Sequence, residues 1–221
     1  MSTARAPTRH GVTLRYESAK YAMANRWDAR HLDTIRYTLA PQPGQRLLEV
    51  GSGRGHLVKR LADDGVDIVG VDANPHAVSH AVTDRLRHMP AERLDFADDS
   101  FDLVASFHMI EHVEDLEATL GEMARVLRPG GRLLLVYPAE PVRGLYAIPT
   151  SFIFAGHPFK ARQIHRHTVR PRHLRTQLAR HHLKEVGSRF RLLSSPQFET
   201  VAALPARDAP GWSANGQVRT A

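Results

Sequence analysis

Between residues 45 and 137, short apolar runs alternate with segments whose apolar residues recur at helical spacing. Arg46-Leu47-Leu48-Glu49-Val50, Asp67-Ile68-Val69-Gly70-Val71, Phe101-Asp102-Leu103-Val104-Ala105-Ser106 and Arg132-Leu133-Leu134-Leu135-Val136-Tyr137 read as buried parallel strands, too continuously apolar to have a wet face. Leu57, Val58 and Leu61, then Val78, Ala81, Val82 and Leu86, then Leu116, Leu120, Met123, Val126 and Leu127 line one side of three intervening helices. The alternation predicts a doubly wound α/β sheet with helices on both faces.

Flanking signals extend the frame. Arg128-Pro129-Gly130-Gly131 ends the third helix and launches the next strand, because proline cannot continue a helix and glycine accepts positive φ after it. Upstream, residues 14–44 form an expected helical cap, with Tyr16, Tyr21, Trp27, Leu32, Ile35 and Leu39 as packing or lid residues. Downstream, Pro171 opens a helix carrying Leu174 and Leu178, and two strands are expected at Lys184 to Phe190 and Arg191 to Ser194. The chain is read as a single domain: the cap, a core over 45–137, an insertion over 138–170, a C-terminal part of the sheet over 171–204, and a disordered tail over 205–221 rich in Ala, Pro, Gly and Ser.

Length and composition agree with one core: 221 residues, 42% of them hydrophobic, suit one well-buried domain. The opening residues carry no apolar signal core, and the longest apolar stretch, Leu145 to Ala155, is interrupted by Pro149, so a cytoplasmic protein without a membrane span is expected. The absence of cysteine excludes disulfides, thiolate metal sites and covalent sulfur chemistry. The net charge of +7 is unevenly divided: residues 1–138 hold 17 Lys and Arg against 19 Asp and Glu, whereas residues 139–221 hold 13 against 4.

The loop after the first strand, Gly51-Ser52-Gly53-Arg54-Gly55, has glycines where a side chain would block close approach of backbone to a ligand. A dinucleotide fingerprint requires a third glycine at the position held by His56; this loop instead has the G-x-G-x-G pattern, with Glu49 two places before it. Asp72 closes the second strand beside that loop, where a carboxylate can accept both hydroxyls of a ribose. Its competing role, capping the next helix, is already filled by Asn74 before Pro75.

In order along the chain, Leu47-Leu48-Glu49-Val50-Gly51-Ser52-Gly53-Arg54-Gly55, Val69-Gly70-Val71-Asp72, Asp98-Asp99-Ser100-Phe101-Asp102-Leu103-Val104, Glu111-His112-Val113-Glu114-Asp115 and Leu127-Arg128-Pro129-Gly130-Gly131 resemble the successive motifs of class I methyltransferases dependent on S-adenosyl-L-methionine (SAM), in the ubiquinone/menaquinone-biosynthesis-like (methyltransferase type 11) branch. The resemblance implies a Rossmann-like seven-stranded sheet and SAM as co-substrate. It implies that Gly51, Ser52 and Gly53 face the methionine and ribose, that Glu49 helps hold the positively charged end, and that Asp72 binds the ribose with Ala73 beside the adenine. Ser106, Phe107 and His108 would line the cleft near the sulfonium, with Tyr21 of the cap among the cofactor contacts; His112 matches a common family histidine. One departure stands out: where relatives often carry Asp-Ala-Glu, this chain has Pro90-Ala91-Glu92, which leaves adenine recognition to the backbone of Ala91 and to Glu92.

For the transfer itself, aligning a nucleophile with the methyl carbon supplies most of the catalysis, and a base is needed only if the nucleophile must lose a proton. His108, His157, His165 and His167 are the candidates, His157 being favoured for its place in the insertion. Leu145, Tyr146, Ile148, Phe152, Ile153, Phe154 and Phe159, followed by Lys160, Arg162, Arg166, Arg170, Arg172 and Arg175, suit a small-molecule acceptor that is acidic or phenolic and apolar: a quinone precursor, a polyketide or a lipid. The same composition also fits an insertion that packs its aromatics and leaves its arginines in water. No RNA-binding module accompanies the basic run, which argues against nucleic acid. His165, His167, His173, His181 and His182 have no zinc-site spacing, and no acidic cluster suits magnesium, so metal-independent transfer is expected. The alternative is a non-catalytic protein of the same fold that binds or senses SAM.

Overall fold

The computed structural model describes residues 29–139, 166–192 and 196–206. Among the described residues, five helices and a π-helical turn surround seven strands. Helix α1 (Ala29–Thr34) runs into the π-helical turn (Ile35–Leu39); then come β1 (Arg46–Val50), α2 (His56–Asp63), β2 (Asp67–Asp72), α3 (Pro75–Ser79), β3 (Leu86–His88), β4 (Phe101–Phe107), α4 (Leu116–Val126) and β5 (Leu127–Pro138). After residues 140–165 follow α5 (Pro171–Arg180), β6 (Lys184–Leu192) and β7 (Pro196–Ala203). The sheet order is β3-β2-β1-β4-β5-β7-β6. Strands β1 to β5 pair in parallel, and β7 is antiparallel to both β5 and β6. The order reverses between β1 and β4, which opens a crevice at the carboxyl ends of the strands.

Each face buries its own apolar set, as the doubly wound reading requires. On one, Leu32, Ile35, Leu39, Leu57 and Leu61 pack on Leu47, Ile68, Leu103 and Leu134. On the other, Leu116, Leu120, Met123, Leu174 and Leu178 pack on Leu48, Val104, Leu133 and Leu135. A fully buried leucine stabilises the fold by about 1.5–3 kcal/mol, so these two layers dominate the favourable energy.

Several expected boundaries move. The second helix stops at Ser79, and Leu86, read as helical, begins β3. Asn74 holds that helix start, its side chain accepting from the N–H groups of His76 and Ala77, while Leu86 leaves the helical stripe to pair with Gly70 of β2. Strand β5 begins at Leu127, with Phe101 opposite Leu127 and Leu103 opposite Arg132; the register slips where Gly130 takes φ +82°. The two strands expected at 184–190 and 191–194 are one strand to Leu192, followed by β7 from Pro196. Tyr16, Tyr21, Trp27, the aromatic insertion and the expected tail from residue 207 onward lie outside the described residues.

Antiparallel β7 carries a buried charge cluster. The Glu199 side chain is 1% exposed and lies 2.6 Å from Arg189 Nε and 3.2 Å from Arg191 Nε on β6. Arg189 also donates to Thr38 Oγ1 at 2.7 Å, and Arg132 donates to the carbonyls of Thr38 and Leu39, which ties the π-helical turn to the sheet. Among the described residues, no helix is long and apolar enough to cross a membrane.

Candidate active site

The turn out of β1 is built by its glycines. Gly51, Gly53 and Gly55 take φ of +81°, +56° and +78°, a region that side chains enter at a cost. At Gly51 there is no room either: a Cβ there would lie 2.4 Å from Met109 Cγ, so the loop packs directly on the turn that follows β4. The Gly51 and Ser52 N–H groups both donate to Val71 O, as does the Ser52 hydroxyl at 3.0 Å. Ser52 Oγ is thereby turned toward β2, and its backbone, rather than its hydroxyl, borders the crevice.

Asp72 locks the same loop from the neighbouring strand. Its Oδ2 accepts from Gly53 N at 2.7 Å and its Oδ1 from Asn74 N at 2.8 Å. Burial raises its pKa, opposed by those two N–H groups and by His88. Each carboxylate oxygen has two acceptor positions, so both bonds leave capacity for a ribose diol. Ala73 follows directly, and its carbonyl lies 3.0 Å from His88 Nε2.

Glu49, near the end of β1, is 5% exposed. Its Oε2 has no hydrogen-bond partner. Burial, and then the charge of Asp72, push its pKa up to about 8. A buried carboxyl with an unsatisfied oxygen lacks a partner, and a cation is the group that would complete it. With the glycine cradle and Asp72, this donor set fits an amino acid joined to a ribose: Glu49 for the ammonium, the 51–53 backbone for the chain, Asp72 for the sugar.

Ala91 is buried, and Glu92 Oε1 accepts from Glu114 N at 2.9 Å, so that carboxylate braces the turn before α4.

At the carboxyl end of β4, the Ser106 side chain is buried and its Oγ has no hydrogen-bond partner. Phe107 stacks on His31 of α1 with ring centroids 4.3 Å apart. His108 takes φ +50°; its Nε2 lies 3.2 Å from Gln197 Oε1 and its Nδ1 3.8 Å from Glu111 Oε1. Residues 166 and 167 dock here, their N–H groups donating to Glu111 O, while His167 Nε2 meets Val113 O at 3.0 Å. His167 is therefore an anchor. Tyr21, His157 and His165 lie outside the described residues.

Three residues of this region were not among the sequence candidates: His31, Glu111 as a side-chain partner, and Gln197. Glu111 lay within a recognised motif. Gln197 could not be found, because the expected strand ended at Ser194, short of β7. Among the described residues, no group of three His, Asp or Glu is arranged to hold a metal ion.

Comparison with known proteins agrees with this geometry. Residues 48–135 match the family described as Methyltransferase domain. The chain is 40% identical over 116 residues to a demethylmenaquinone methyltransferase of Beutenbergia cavernae, covering 49% of this chain and 48% of that protein. It is 36% identical over 106 residues to a ubiquinone biosynthesis O-methyltransferase of Sinorhizobium fredii, covering 43% of each. The chain thus spans about half the length of the curated relatives it matches. Its fold is similar to that of a SAM-dependent methyltransferase from Archaeoglobus fulgidus, with a TM-score of 0.63 at 16% identity over 79% of this chain and 93% of that one. Residues 48–135 thus carry a methyltransferase domain, and the strand order is that of the class I SAM-dependent methyltransferase fold.

Proposed function

We propose that the protein transfers a methyl group from SAM to an acidic or phenolic apolar small molecule. The observation that carries the proposal is the pairing of a buried, unsatisfied Glu49 with an Asp72 whose carboxylate holds Gly53, in one crevice at the strand carboxyl ends. When bound there, SAM supplies a methyl carbon activated by the adjacent sulfonium. Glu49 neutralises the ammonium end, the backbone at 51–53 runs along the amino-acid chain, and Asp72 accepts from the ribose. Phe107, stacked on His31, walls one side of the crevice at the carboxyl end of β4.

The acceptor class rests on surface chemistry at the same end of the sheet. Phe190 and Leu192, at the end of β6, are 50% and 63% exposed, and the cationic residues Arg170 and Arg172 flank the start of α5. An apolar surface with a cationic rim suits an apolar acceptor bearing acidic or phenolic groups. The insertion over 138–170, with His157, is proposed to complete the acceptor pocket.

Calorimetric titration with S-adenosylhomocysteine, beside NAD, tests the reading. Micromolar binding of the first and none of the second is expected; binding of NAD alone would refute it. A second reading, SAM binding without transfer, draws on Glu92, whose carboxylate is committed to Glu114 N. Methyl transfer to any acceptor eliminates it.

A further inference from the structure

The carboxyl end of β6 and the start of α5 meet at one corner of the molecule. Among the described residues the large exposed apolar side chains are Tyr37, Val186, Phe190 and Leu192, and all but the first stand on β6. The Phe190 ring lies 5.7 Å from that of Phe198, which lies 5.8 Å from that of buried Tyr137, so an aromatic row runs from the core out to the sheet edge. Phe198 packs in the same apolar layer as Leu174 and Leu178 of α5, which puts Phe190 on the face that α5 covers. Leu192, two residues on, shares that face and stands opposite Pro196.

Around this row the charge is of one sign. Residues 166–192 hold eight Lys and Arg against Glu185 alone. Arg166, Arg175 and Arg180 are ion-paired, and Arg189 and Arg191 share the single carboxylate of Glu199. Arg170, Arg172 and Lys184 are exposed and form no ion pair among the described residues. A short turn joins α5 to β6, and the Arg175–Glu185 pair at 2.8 Å ties the middle of the helix to the start of the strand. The two therefore run antiparallel, and Arg170 and Arg172 lie toward the end of β6 that carries Phe190 and Leu192.

We infer that this corner docks on an anionic lipid surface, with Phe190 and Leu192 entering the boundary between headgroups and acyl chains while Arg170 and Arg172 meet lipid phosphates. A small-molecule pocket surrounds most of its ligand, whereas Phe190 and Leu192 stand open on an edge strand and meet an extended partner. A second copy paired edge to edge through β6 would set Lys184, Arg189 and Arg191 against their own equivalents. A nucleic acid matches the charge but not the aliphatic Leu192, which has no ring to stack on a base. An anionic bilayer matches both kinds of side chain. Docking does not itself depend on methyl transfer. Where it rests on the proposed function it deepens it: the apolar acceptor is a component of the bilayer, met at the end of the sheet where the crevice opens.

Co-sedimentation of the full chain, without cofactor, with vesicles of phosphatidylcholine alone or mixed equally with phosphatidylglycerol tests the docking. The parent is expected to bind the mixed vesicles about tenfold or more tighter than phosphatidylcholine. Phe190→Ser with Leu192→Ser, and separately Arg170→Gln with Arg172→Gln, should each weaken that binding by about tenfold or more, with melting curves checking that both variants fold. Lys59→Gln with Arg60→Gln, an equal loss of charge on α2 at the opposite face, should leave it unchanged. Leu192→Trp should shift its emission to the blue on the mixed vesicles, as the side chain leaves water. A parent indifferent to phosphatidylglycerol, an equal loss in the α2 variant, or an unshifted emission would overturn the docking. So would tighter binding to an oligonucleotide than to the vesicles, or a dimer that Phe190→Ser with Leu192→Ser dissociates. Calorimetry with S-adenosylhomocysteine tests the methyltransferase reading separately: failure there leaves the docking in place and removes only the link to an acceptor.

Discussion

Asp72 Oδ2 accepts a hydrogen bond from Gly53 N at 2.7 Å, so the last residue of β2 holds in place the loop that leaves β1. One carboxylate thus shapes the loop and, in the proposed function, also holds the sugar. Asp72→Ala is expected to weaken S-adenosylhomocysteine binding by at least about tenfold, since hydrogen bonds to charged groups contribute about 1.5–3 kcal/mol each. The fold should survive, with a lowered thermal midpoint. Calorimetry and a melting curve measure the two effects separately, and retained affinity would move the ribose elsewhere.

Placed at the ammonium, as proposed, Glu49 should make cofactor affinity depend on pH. Its pKa of about 8 in the free protein leaves it mostly protonated at neutrality, and a bound ammonium favours the ionised form. S-adenosylhomocysteine affinity should therefore rise with pH, by up to about tenfold per unit, and level off above 8. Glu49→Gln should flatten that dependence. A flat profile for the parent protein between pH 6 and 8 would separate Glu49 from the ligand.

The same carboxyl affects folding in the opposite direction. Its folded pKa, about 8, lies above its ordinary value of 4.5, so its contribution is fully present below 4.5 and is lost as pH rises through 8. Glu49→Gln is expected to stabilise the ligand-free protein at pH 8 by about 1–3 kcal/mol, and to do little at pH 4. Urea unfolding at the two pH values measures the difference.

Gly51→Ala should be destabilising for two separable reasons, positive φ and the Met109 side chain in the way. A loss of about 1–3 kcal/mol is expected. Adding Met109→Ala should recover the steric part and leave the backbone part, visible as a double mutant that remains below the Met109→Ala single.

The Glu199 cluster predicts an asymmetry. Removing both arginines (Arg189→Met with Arg191→Met) leaves a carboxylate buried without its cations and should cost about 3–5 kcal/mol. Glu199→Gln keeps the shape, removes the charge and should cost less, because half-exposed arginines can turn to water. Equal losses in chemical denaturation would mean that packing dominates there.

The parallel core was legible from the sequence because β1, β2, β4 and β5 are buried on both faces and appear as unbroken apolar runs. The glycine loop and Asp72 were legible for a related reason, since backbone constraint leaves a mark in residue type. Strand β3 left only a faint trace at Leu86-Arg87-His88: it has three residues, and Leu86 also completes a helical stripe with Val78 and Val82. The β6–β7 boundary was missed because β6 is exposed on both sides and has no clear alternation. His31 and Gln197 left no signal, because they meet His108 only through pairings that span large parts of the chain.

The position of β7 between β5 and β6 has a consequence for biosynthesis. Among the described residues β6 pairs with β7 alone, and it emerges from the ribosome first, so it stays without that ladder until Pro196–Ala203 has followed. During that interval Val186, Phe190 and Leu192 lie along an unpaired strand, and a nascent chain stalled before Pro196 would present a segment prone to pairing with its neighbours.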